Sequence, residues 1–309
     1  MVIDFHAHVF AKGWVPKRFF DGIAEMAASS MKKKGMDACA TDIAKMMVGS
    51  KGDPHGDELV KEMDAAGISK TIVLPIDYGM ALGEPEIGIE ELNHKYRDMA
   101  AKHTGRLIWF AGIDPRRENA PALLKQLLDE GARGLKLQQA CGFYPTDKET
   151  YRLMQIMSDH DLPVLFHCSH MIPPFKSKYC EPRYIDELSI DFPKLKIIAG
   201  HLGTAMAYRD WIPILKTRGN VFGDISLWQE EAKRDFGKFC LCVRDLIDHV
   251  GHEKVLFGSD TPASRGQMSV PDWVKLWQTL PEKAAGGVSF SQKEIDGVMA
   301  GNAQAAFGY

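Results

Sequence analysis

The sequence predicts one α/β domain folded as a barrel of eight parallel strands with surrounding helices, the (β/α)8 or TIM barrel. Eight short apolar runs recur along the chain, and from the second run onward they are roughly 25 to 36 residues apart, the length of one strand–helix unit. Several runs, such as 72–74 and 164–166, are apolar at every position, which is typical of strands covered on both faces. A doubly wound open sheet is the alternative, but no G-x-G-x-x-G motif follows the first run.

Hydrophobic spacing also predicts where the strands and helices lie. The predicted strands cover residues 2–5, 70–74, 107–112, 134–137, 163–167, 196–201, 220–225 and 254–258. The clearest predicted helices cover 120–130, 150–160 and 239–250, where apolar residues recur at helical spacing. Strands that alternate with helices in this way favour a parallel sheet closed into a barrel.

The chain is predicted to form a single domain over residues 1–309, because no linker composition interrupts it. The regular spacing fails only between the first and second predicted strands. We therefore interpret residues 11–52 as an insertion that covers the mouth of the barrel. Residues 270–309 are predicted to be a helical extension at the C-terminus.

Composition narrows the class of protein. Hydrophobic residues make up 45% of the 309 positions and charged residues 26%, which is enough to bury a large core. The net charge of −3 argues against non-specific nucleic-acid binding, which needs a basic surface. No apolar run approaches the roughly 20 residues that cross a bilayer, so no membrane association is expected. The six cysteines are scattered, so we expect reduced thiols in a cytoplasmic protein.

Two histidines, His6 and His8, lie at the end of the first predicted strand. Side chains two positions apart on a strand point to the same face, here the upper rim of the barrel interior. Two imidazoles at that place pack poorly but suit a metal ion. For this motif alone, a hydrogen-bonded histidine pair is an equal alternative.

Three more polar residues stand at the ends of later strands. His167 ends the fifth predicted strand, His201 ends the sixth, and Asp260 follows the eighth. The loops after the strands form the face on which barrel enzymes carry their sites. Imidazoles and a carboxylate together suit a borderline divalent ion such as Zn²⁺, which would lower the pKa of a bound water toward neutrality. The sequence therefore predicts a metal site.

The strand-end residues form a pattern that is similar to a known family. Its segments are D-F-H-A-H at 4–8, His167, His201, F-G-S-D at 257–260 and G-N-A at 301–303. The pattern resembles the amidohydrolase superfamily from residue 2 to about residue 307. More narrowly, it resembles the amidohydrolase-related branch, which holds hydrolases and non-oxidative decarboxylases of aromatic or unsaturated carboxylic acids. The motifs are specific for the superfamily and poorly specific for the reaction.

The resemblance implies a role for each of these side chains. His6, His8, His167 and Asp260 would hold one divalent ion, most simply Zn²⁺, with Mn²⁺ as an alternative. Asp260 would also take a proton from the water on the metal. His201 would be a catalytic acid or base, a group that polarises the substrate, or a ligand of a second metal.

Lys136 is the ambiguous position, because some superfamily members carry a carbamylated lysine there that bridges two metals. Strand alternation puts Leu135 and Leu137 on one face and Lys136 on the other, toward the interior. An interior lysine needs an anionic partner, which would be a carbamate's metal pair, the substrate carboxylate, Asp4 or Asp114. We expect a single metal, with a second only if Lys136 is carbamylated.

The predicted substrate is a small molecule that bears a carboxylate. Cationic side chains on the loops after the strands would suit such a group, and the best candidates for contact are His170, Arg183 and Arg265. Relatives in this branch are commonly dimers or larger, so a homodimer or larger homo-oligomer is the expected assembly.

Three functions remain open at this point. The first is a metal-dependent hydrolase in which activated water attacks the carbonyl of an ester, lactone or amide. The second is a metal-dependent non-oxidative decarboxylase with the same ligands, and a hydratase acting on an unsaturated acid is a lesser variant. The third is a non-catalytic barrel that binds a ligand. A compact pocket lined by aromatic side chains, with a clamp for a carboxylate, would favour decarboxylation over hydrolysis.

Overall fold

A computed structural model describes residues 1–49 and 52–309, so positions 50 and 51 of the predicted insertion lie outside the described residues. Within those residues, nine short strands are present. They are β1 (Ile3–Ala7), β2 (Lys70–Val73), β3 (Leu107–Trp109), β4 (Ala111–Gly112), β5 (Leu135–Leu137), β6 (Val164–His167), β7 (Ile197–Gly200), β8 (Val221–Asp224) and β9 (Val255–Leu256). All pairings between neighbouring strands are parallel, in the orders β1-β2-β3 and β4 through β9.

Helices separate the strands, as the sequence predicts. They are α1 (Lys17–Lys33), α2 (Ala40–Gly49), α3 (Asp57–Ala66), α4 (Gly79–Leu82), α5 (Ile89–Lys102), α6 (Ala120–Asp129), α7 (Lys148–Asp159), α8 (Pro182–Asp191), α9 (Thr204–Ala207), α10 (Ile212–Thr217), α11 (Gln229–Arg234), α12 (Phe236–Val250), α13 (Val270–Lys283), α14 (Gln292–Asp296) and α15 (Asn302–Phe307). The three helices predicted most clearly are confirmed as α6, α7 and α12. The last of these begins earlier than its apolar pattern, because the Asp235 carboxylate accepts a hydrogen bond from the Lys238 amide and caps it.

The third predicted strand, 107–112, is two strands in the structure, because the chain changes partner at Phe110. The Phe110 amide donates to the carbonyl of Val73, whereas the next amide, of Ala111, donates to the carbonyl of Gly134. A side chain at Gly112 would come within 2.2 Å of the Pro75 carbonyl oxygen, so glycine permits this close passage. The two sheets therefore meet along one continuous stretch of backbone.

The first strand also lies beside the last one, which brings the two edges of the array together. The Phe5 amide donates to the carbonyl of Phe257 at 2.9 Å, and the His8 amide donates to the carbonyl of Thr261 at 2.8 Å. The Asp260 amide donates back to the carbonyl of His6 at 2.7 Å. The fold is the expected α/β barrel, with His6 in the first strand and His8 just after it, both beside the loop that carries Asp260.

Two apolar layers support the strands. The larger one lies between the strands and the helices. The smaller one is built from alternate strand residues on the inner face, including Ile72, Leu165, Ile198 and Leu256. The chain's last residue, Tyr309, joins this inner layer and donates its hydroxyl hydrogen to the carbonyl of Arg133, just before β5 begins. The C-terminal segment therefore closes the barrel at the end opposite the strand-end histidines.

Helix α1 of the 11–52 segment lies against loops that follow the strands. The ring of Phe19 is 4.7 Å from that of Tyr78, after β2, and 6.3 Å from that of Phe175, after β6. A side chain at Gly22 would meet the Pro173 carbonyl oxygen at 2.3 Å, so glycine lets the helix approach that loop. No helix within residues 1–49 and 52–309 combines the length and apolar character needed to cross a membrane.

Candidate metal centre

The ends of the first and last strands bring three of the predicted ligands together. Nε2 of His8 lies 3.3 Å from Oδ1 of Asp260, and Nε2 of His6 lies 3.6 Å from the same oxygen. All three side chains are buried, and their ligand atoms lie within 4.8 Å of one another. Asp260 has a φ of 54°, which a non-glycine residue adopts rarely, so the loop is held in a strained shape at this candidate ligand.

The hydrogen bonds of the two histidines determine which nitrogen faces the centre. Nδ1 of His8 lies 2.6 Å from the carbonyl oxygen of Leu74, and Nδ1 of His6 lies 2.8 Å from the Asp224 carboxylate. A carbonyl oxygen and a carboxylate oxygen can only accept, so both Nδ1 atoms carry the hydrogen. Both Nε2 atoms therefore present lone pairs toward Asp260, as metal ligands must.

The Nε2 atom of His6 is buried and has no hydrogen-bond partner among the described residues. An unpaired polar atom in the interior is costly, so its position calls for a further group. Burial also lowers the pKa of His6 well below its usual value, which keeps the imidazole neutral. A neutral nitrogen with a free lone pair, beside a second one and a carboxylate, fits a divalent cation.

The other two predicted site histidines form a row beside this centre. Nε2 of His201 lies 3.1 Å from Nδ1 of His167, whose Nε2 lies 3.0 Å from the hydroxyl of Ser169. Burial lowers the pKa of both imidazoles well below the usual value. In this orientation His167 faces His201, whereas His201 with His6 and Asp224 forms a second group able to hold an ion.

Lys136 is buried among these groups, on the strand β5. Its side chain is 1% exposed, and its Nζ has no hydrogen-bond partner among the described residues. Burial lowers the pKa of Lys136 to about 8, although the carboxylates of Asp224 and Asp260 oppose this shift. Two partners considered from the sequence are engaged elsewhere, since Asp4 accepts from Ser259 and Asp114 pairs with Arg116.

The three predicted substrate contacts lie at different places. His170 is exposed, and Arg183 is 69% exposed and pairs with Glu181. Arg265 is 46% exposed, pairs with Glu62, and lines a cavity of about 490 Å³ that also reaches His8.

A strip of aromatic rings leads away from the centre. Phe10 stacks on the His8 ring at 6.1 Å, and Phe19 follows at 6.2 Å from Phe10. Tyr78 lies 4.7 Å beyond Phe19, and Phe175 lies 5.5 Å beyond Tyr78. We call these four rings, Phe10, Phe19, Tyr78 and Phe175, the aromatic strip. Tyr78 is 4% exposed, and Asp260 is among the charges that raise the pKa of its hydroxyl, after burial.

Two functional features were not assigned from the sequence. Asp224 ends β8, and its carboxylate orients His6 and the backbone of His201. Glu62, on α3, accepts hydrogen bonds from Thr261 and Arg265 and so anchors the loop that carries Asp260. The strand-end rule that identified the histidines also applies to Asp224, whereas nothing in the local sequence marks Glu62.

Comparison with known proteins identifies the family. The family model described as amidohydrolase matches residues 3–309, which is nearly the whole chain. The protein belongs to the amidohydrolase family, a class of metal-dependent enzymes that includes hydrolases and carboxy-lyases. No curated protein matches the chain.

Solved structures of the same fold include both kinds of enzyme. The chain is 16% identical to a 5-carboxyvanillate decarboxylase from Novosphingobium aromaticivorans solved with manganese and a nitrobenzoic acid, with a TM-score of 0.66 and coverage of 100% and 96% of the two chains. It is 13% identical to a probable 2-pyrone-4,6-dicarboxylic acid hydrolase from Acinetobacter baumannii, with a TM-score of 0.63 and coverage of 100% and 99%. An amidohydrolase from Burkholderia multivorans with bound zinc is 15% identical, with a TM-score of 0.67 and the same coverage. These similarities establish the shared fold.

Proposed function

We propose that the protein is a metal-dependent decarboxylase that removes a carboxyl group, without oxidation, from an aromatic or unsaturated carboxylic acid. The aromatic strip carries this proposal, because it begins at His8, whose Nε2 lies 3.3 Å from Asp260. A planar substrate stacks well on such rings, with its carboxyl group directed toward the centre. The manganese-bound decarboxylase of the same fold supports the same reaction class.

We further propose that His6, His8, His167 and Asp260 hold one divalent ion, with Zn²⁺ favoured by the nitrogen-rich set of donors. Mn²⁺ is the alternative. The ion, when bound, would supply positive charge beside the substrate carboxylate and a neighbouring oxygen. A second ion would require carbamylation of Lys136.

The chain's own residues then handle the proton. In decarboxylation the bond between the ring carbon and the carboxyl carbon breaks, carbon dioxide leaves, and the electron pair left on the ring carbon takes a proton. Asp260 suits the donor role because burial raises its pKa, so that it holds a proton more readily than an exposed aspartate. His201, one hydrogen bond from His167, is the second group able to exchange a proton with the substrate.

Hydrolysis of an ester, lactone or amide is the second candidate function. The same buried carboxylate, 3.3 Å from His8, would accept a proton from water and return it to the leaving group. The probable pyrone hydrolase of the same fold supports this alternative. Of the three predicted substrate contacts, we propose to test Arg265 before His170 and Arg183, because it shares a cavity with His8.

Isotope labelling separates the two reactions in one screen. The protein, loaded with Zn²⁺ or Mn²⁺, is incubated with hydroxybenzoic acids, unsaturated dicarboxylic acids and lactones. In D₂O, decarboxylation releases carbon dioxide and leaves deuterium on the product carbon. In H₂¹⁸O, hydrolysis places ¹⁸O in the new carboxylate. Mass spectrometry of the products reads both labels.

Each labelling result supports one of the three candidate functions. Deuterated product with carbon dioxide supports the decarboxylase, and ¹⁸O-labelled acid without carbon dioxide supports the hydrolase instead. A protein that binds acids and turns over none of them, with under about 0.2 equivalents of metal after loading, would favour the non-catalytic barrel.

A further inference from the structure

We propose that Ser226 is a positioning residue that fixes the tautomer of His201, with the hydrogen on Nδ1 and the lone pair on Nε2. Ser226 follows β8 and is fully buried. Its hydroxyl oxygen lies 2.6 Å from Nδ1 of His201, the shortest contact made by that ring. Distance alone leaves the direction of this hydrogen bond open, since either group can donate.

The direction follows from the other partner of the same hydroxyl. Ser226 donates a short hydrogen bond from its hydroxyl to Oδ1 of Asp224. That carboxylate also accepts from the Ser226 amide at 3.0 Å, from the His201 amide at 3.1 Å and from Nδ1 of His6 at 2.8 Å. Backbone amides can only donate, so Oδ1 of Asp224 is an acceptor toward both of them and accepts the hydrogen of the Ser226 hydroxyl as well.

A serine hydroxyl has one hydrogen, and here Asp224 receives it. Toward His201 the Ser226 oxygen can therefore only accept, and the hydrogen between them belongs to Nδ1 of His201. The longer contact of 3.4 Å between Ser226 and Nδ1 of His6 does not compete, because that nitrogen is 0.6 Å closer to Asp224.

The backbone around His201 holds the ring in this orientation. Its φ is 67°, a conformation that L-residues adopt rarely, and its amide is fixed by Asp224. Its carbonyl accepts a hydrogen bond from the Trp228 indole at 3.0 Å. Hydrogen bonds thus restrain both the amide and the carbonyl of His201. Ser226 then determines which nitrogen of the ring carries the hydrogen.

The consequence concerns where His201 handles a proton. With Nδ1 occupied, Nε2 is the only nitrogen that can take a proton, and it faces His167 near the candidate metal centre. This catalytic meaning rests on the proposed function, whereas the tautomer does not. A serine that acts through a histidine in this way contributes to rate by keeping the acid–base nitrogen available.

Nuclear magnetic resonance tests the tautomer without a substrate. The protein is labelled with ¹⁵N-histidine and loaded with diamagnetic Zn²⁺, and the His201 signals are assigned by their loss in His201→Gln. We expect the wild-type long-range ¹⁵N–¹H correlations to show a protonated Nδ1 and an unprotonated Nε2. In Ser226→Ala, which removes the acceptor, the hydrogen should move wholly or partly to Nε2. Ser226→Cys keeps a weak acceptor of similar size and should lie between the two.

The matched control is Ser189→Ala, a buried serine on α8 that donates to the Asp186 carbonyl; its His201 signals should match the wild type. A wild-type His201 protonated on Nε2 overturns the proposal, even if Ser226→Ala does not fold. An unchanged tautomer in folded Ser226→Ala also overturns it.

Once a substrate is known, kcat of Ser226→Ala should fall about 10- to 100-fold, with KM and metal content within about twofold. If no substrate is found, the spectra still determine the tautomer. Failure of the proposed function is therefore distinguishable from failure of the tautomer proposal.

Discussion

The hydroxyl of Ser259 donates a hydrogen bond to Oδ2 of Asp4 at 2.6 Å, and this bond joins the last strand of the barrel to the first. Asp4 precedes His6 by two positions, and Ser259 directly precedes Asp260. The same carboxylate accepts from the Ser259 amide at 2.9 Å and from the His6 amide at 3.2 Å. Two candidate ligands from opposite ends of the sequence are therefore held in register by one buried carboxyl group.

Ser259→Ala should weaken both the fold and the centre. Asp4 would lose one of three hydrogen bonds in a buried place, so we expect the free energy of unfolding to fall by about 1–3 kcal/mol. Metal affinity should fall about tenfold, because the residue before Asp260 loses its hydrogen bond to Asp4 and Asp260 is held less firmly. Chemical denaturation and metal titration measure the two effects. Ser189→Ala, which also removes a buried serine hydroxyl and its one hydrogen bond, is the control, with a loss of about 0.5–1.5 kcal/mol and an unchanged metal affinity. Equal metal affinities of the two variants would contradict the role of the Asp4–Ser259 bond.

His8→Ala should remove the metal and leave the fold intact. The substitution deletes one of the imidazoles that face Asp260, and with it a hydrogen bond to the Leu74 carbonyl. We expect less than about 0.2 equivalents of divalent ion in the variant after loading and dialysis, together with loss of turnover. Elemental analysis by mass spectrometry reads the metal content. His249→Ala, at a half-exposed position on α12, is the control; a metal-loaded and active His8→Ala would remove this residue from the ligand set.

Lys136→Met should stabilise the metal-free protein at neutral pH. The wild-type amine is buried without a partner among the described residues, and burial lowers its pKa from 10.5 to about 8. The unfolded chain therefore binds more protons than the folded one between pH 8 and 10.5, so wild-type stability rises with pH in that window. The advantage of the methionine variant should be on the order of 3 kcal/mol at pH 7 and should vanish above about pH 10.5.

Urea denaturation at pH 7 and pH 10 measures this difference, with the exposed Lys216→Met as the control for charge. A methionine variant that is less stable than the wild type at pH 7 would mean that the amine has a partner in solution, such as a carbamate or an ordered water. Addition of bicarbonate and metal to the wild type would then distinguish a carbamate from an ordered water, because only the carbamate requires both additions.

The periodicity of the sequence was enough to predict the fold because strands buried on both faces have a strong apolar signature. Eight predicted strands correspond to the nine observed, and the difference lies at Phe110, where the chain exchanges one neighbour for another. That exchange depends on barrel geometry, through contacts such as that of Gly112 with Pro75, and no local pattern encodes it. The register of the first strand also shifts between Asp4 and Ala7, and the apolar pattern does not indicate this shift.

The candidate site, like the fold, could be predicted only in part from the sequence. The strand-end rule predicts which side chains reach the C-terminal face, and the structure brings His6, His8 and Asp260 together there. Which nitrogen of each imidazole carries the hydrogen depends on distant partners such as Asp224 and the Leu74 carbonyl, so it requires coordinates. The aromatic strip also combines residues from three separate loops and one helix, and no spacing in the sequence connects them.

Tyr78→Phe should weaken substrate binding without weakening the fold. Among the described residues the Tyr78 hydroxyl has no hydrogen-bond partner, although the side chain is only 4% exposed. Burial raises the pKa of this hydroxyl, and the charges of Cys141 and Asp260 raise it further. Removal of the hydroxyl therefore costs no internal hydrogen bond, and the free energy of unfolding should stay within about 0.5 kcal/mol of the wild type. If the hydroxyl donates to the bound acid, KM should rise about tenfold, while kcat changes little.

The control for Tyr78→Phe is Tyr151→Phe, whose hydroxyl bonds to Asp191 on the outer helices. It should lower stability slightly and leave KM unchanged. The pair thus gives opposite results on the two measurements, because one hydroxyl is free to meet a ligand and the other is already used within the protein. An unchanged KM in Tyr78→Phe, with the aromatic ring retained, would restrict the aromatic strip to stacking and assign recognition of the substrate's polar groups to Arg265 and the metal.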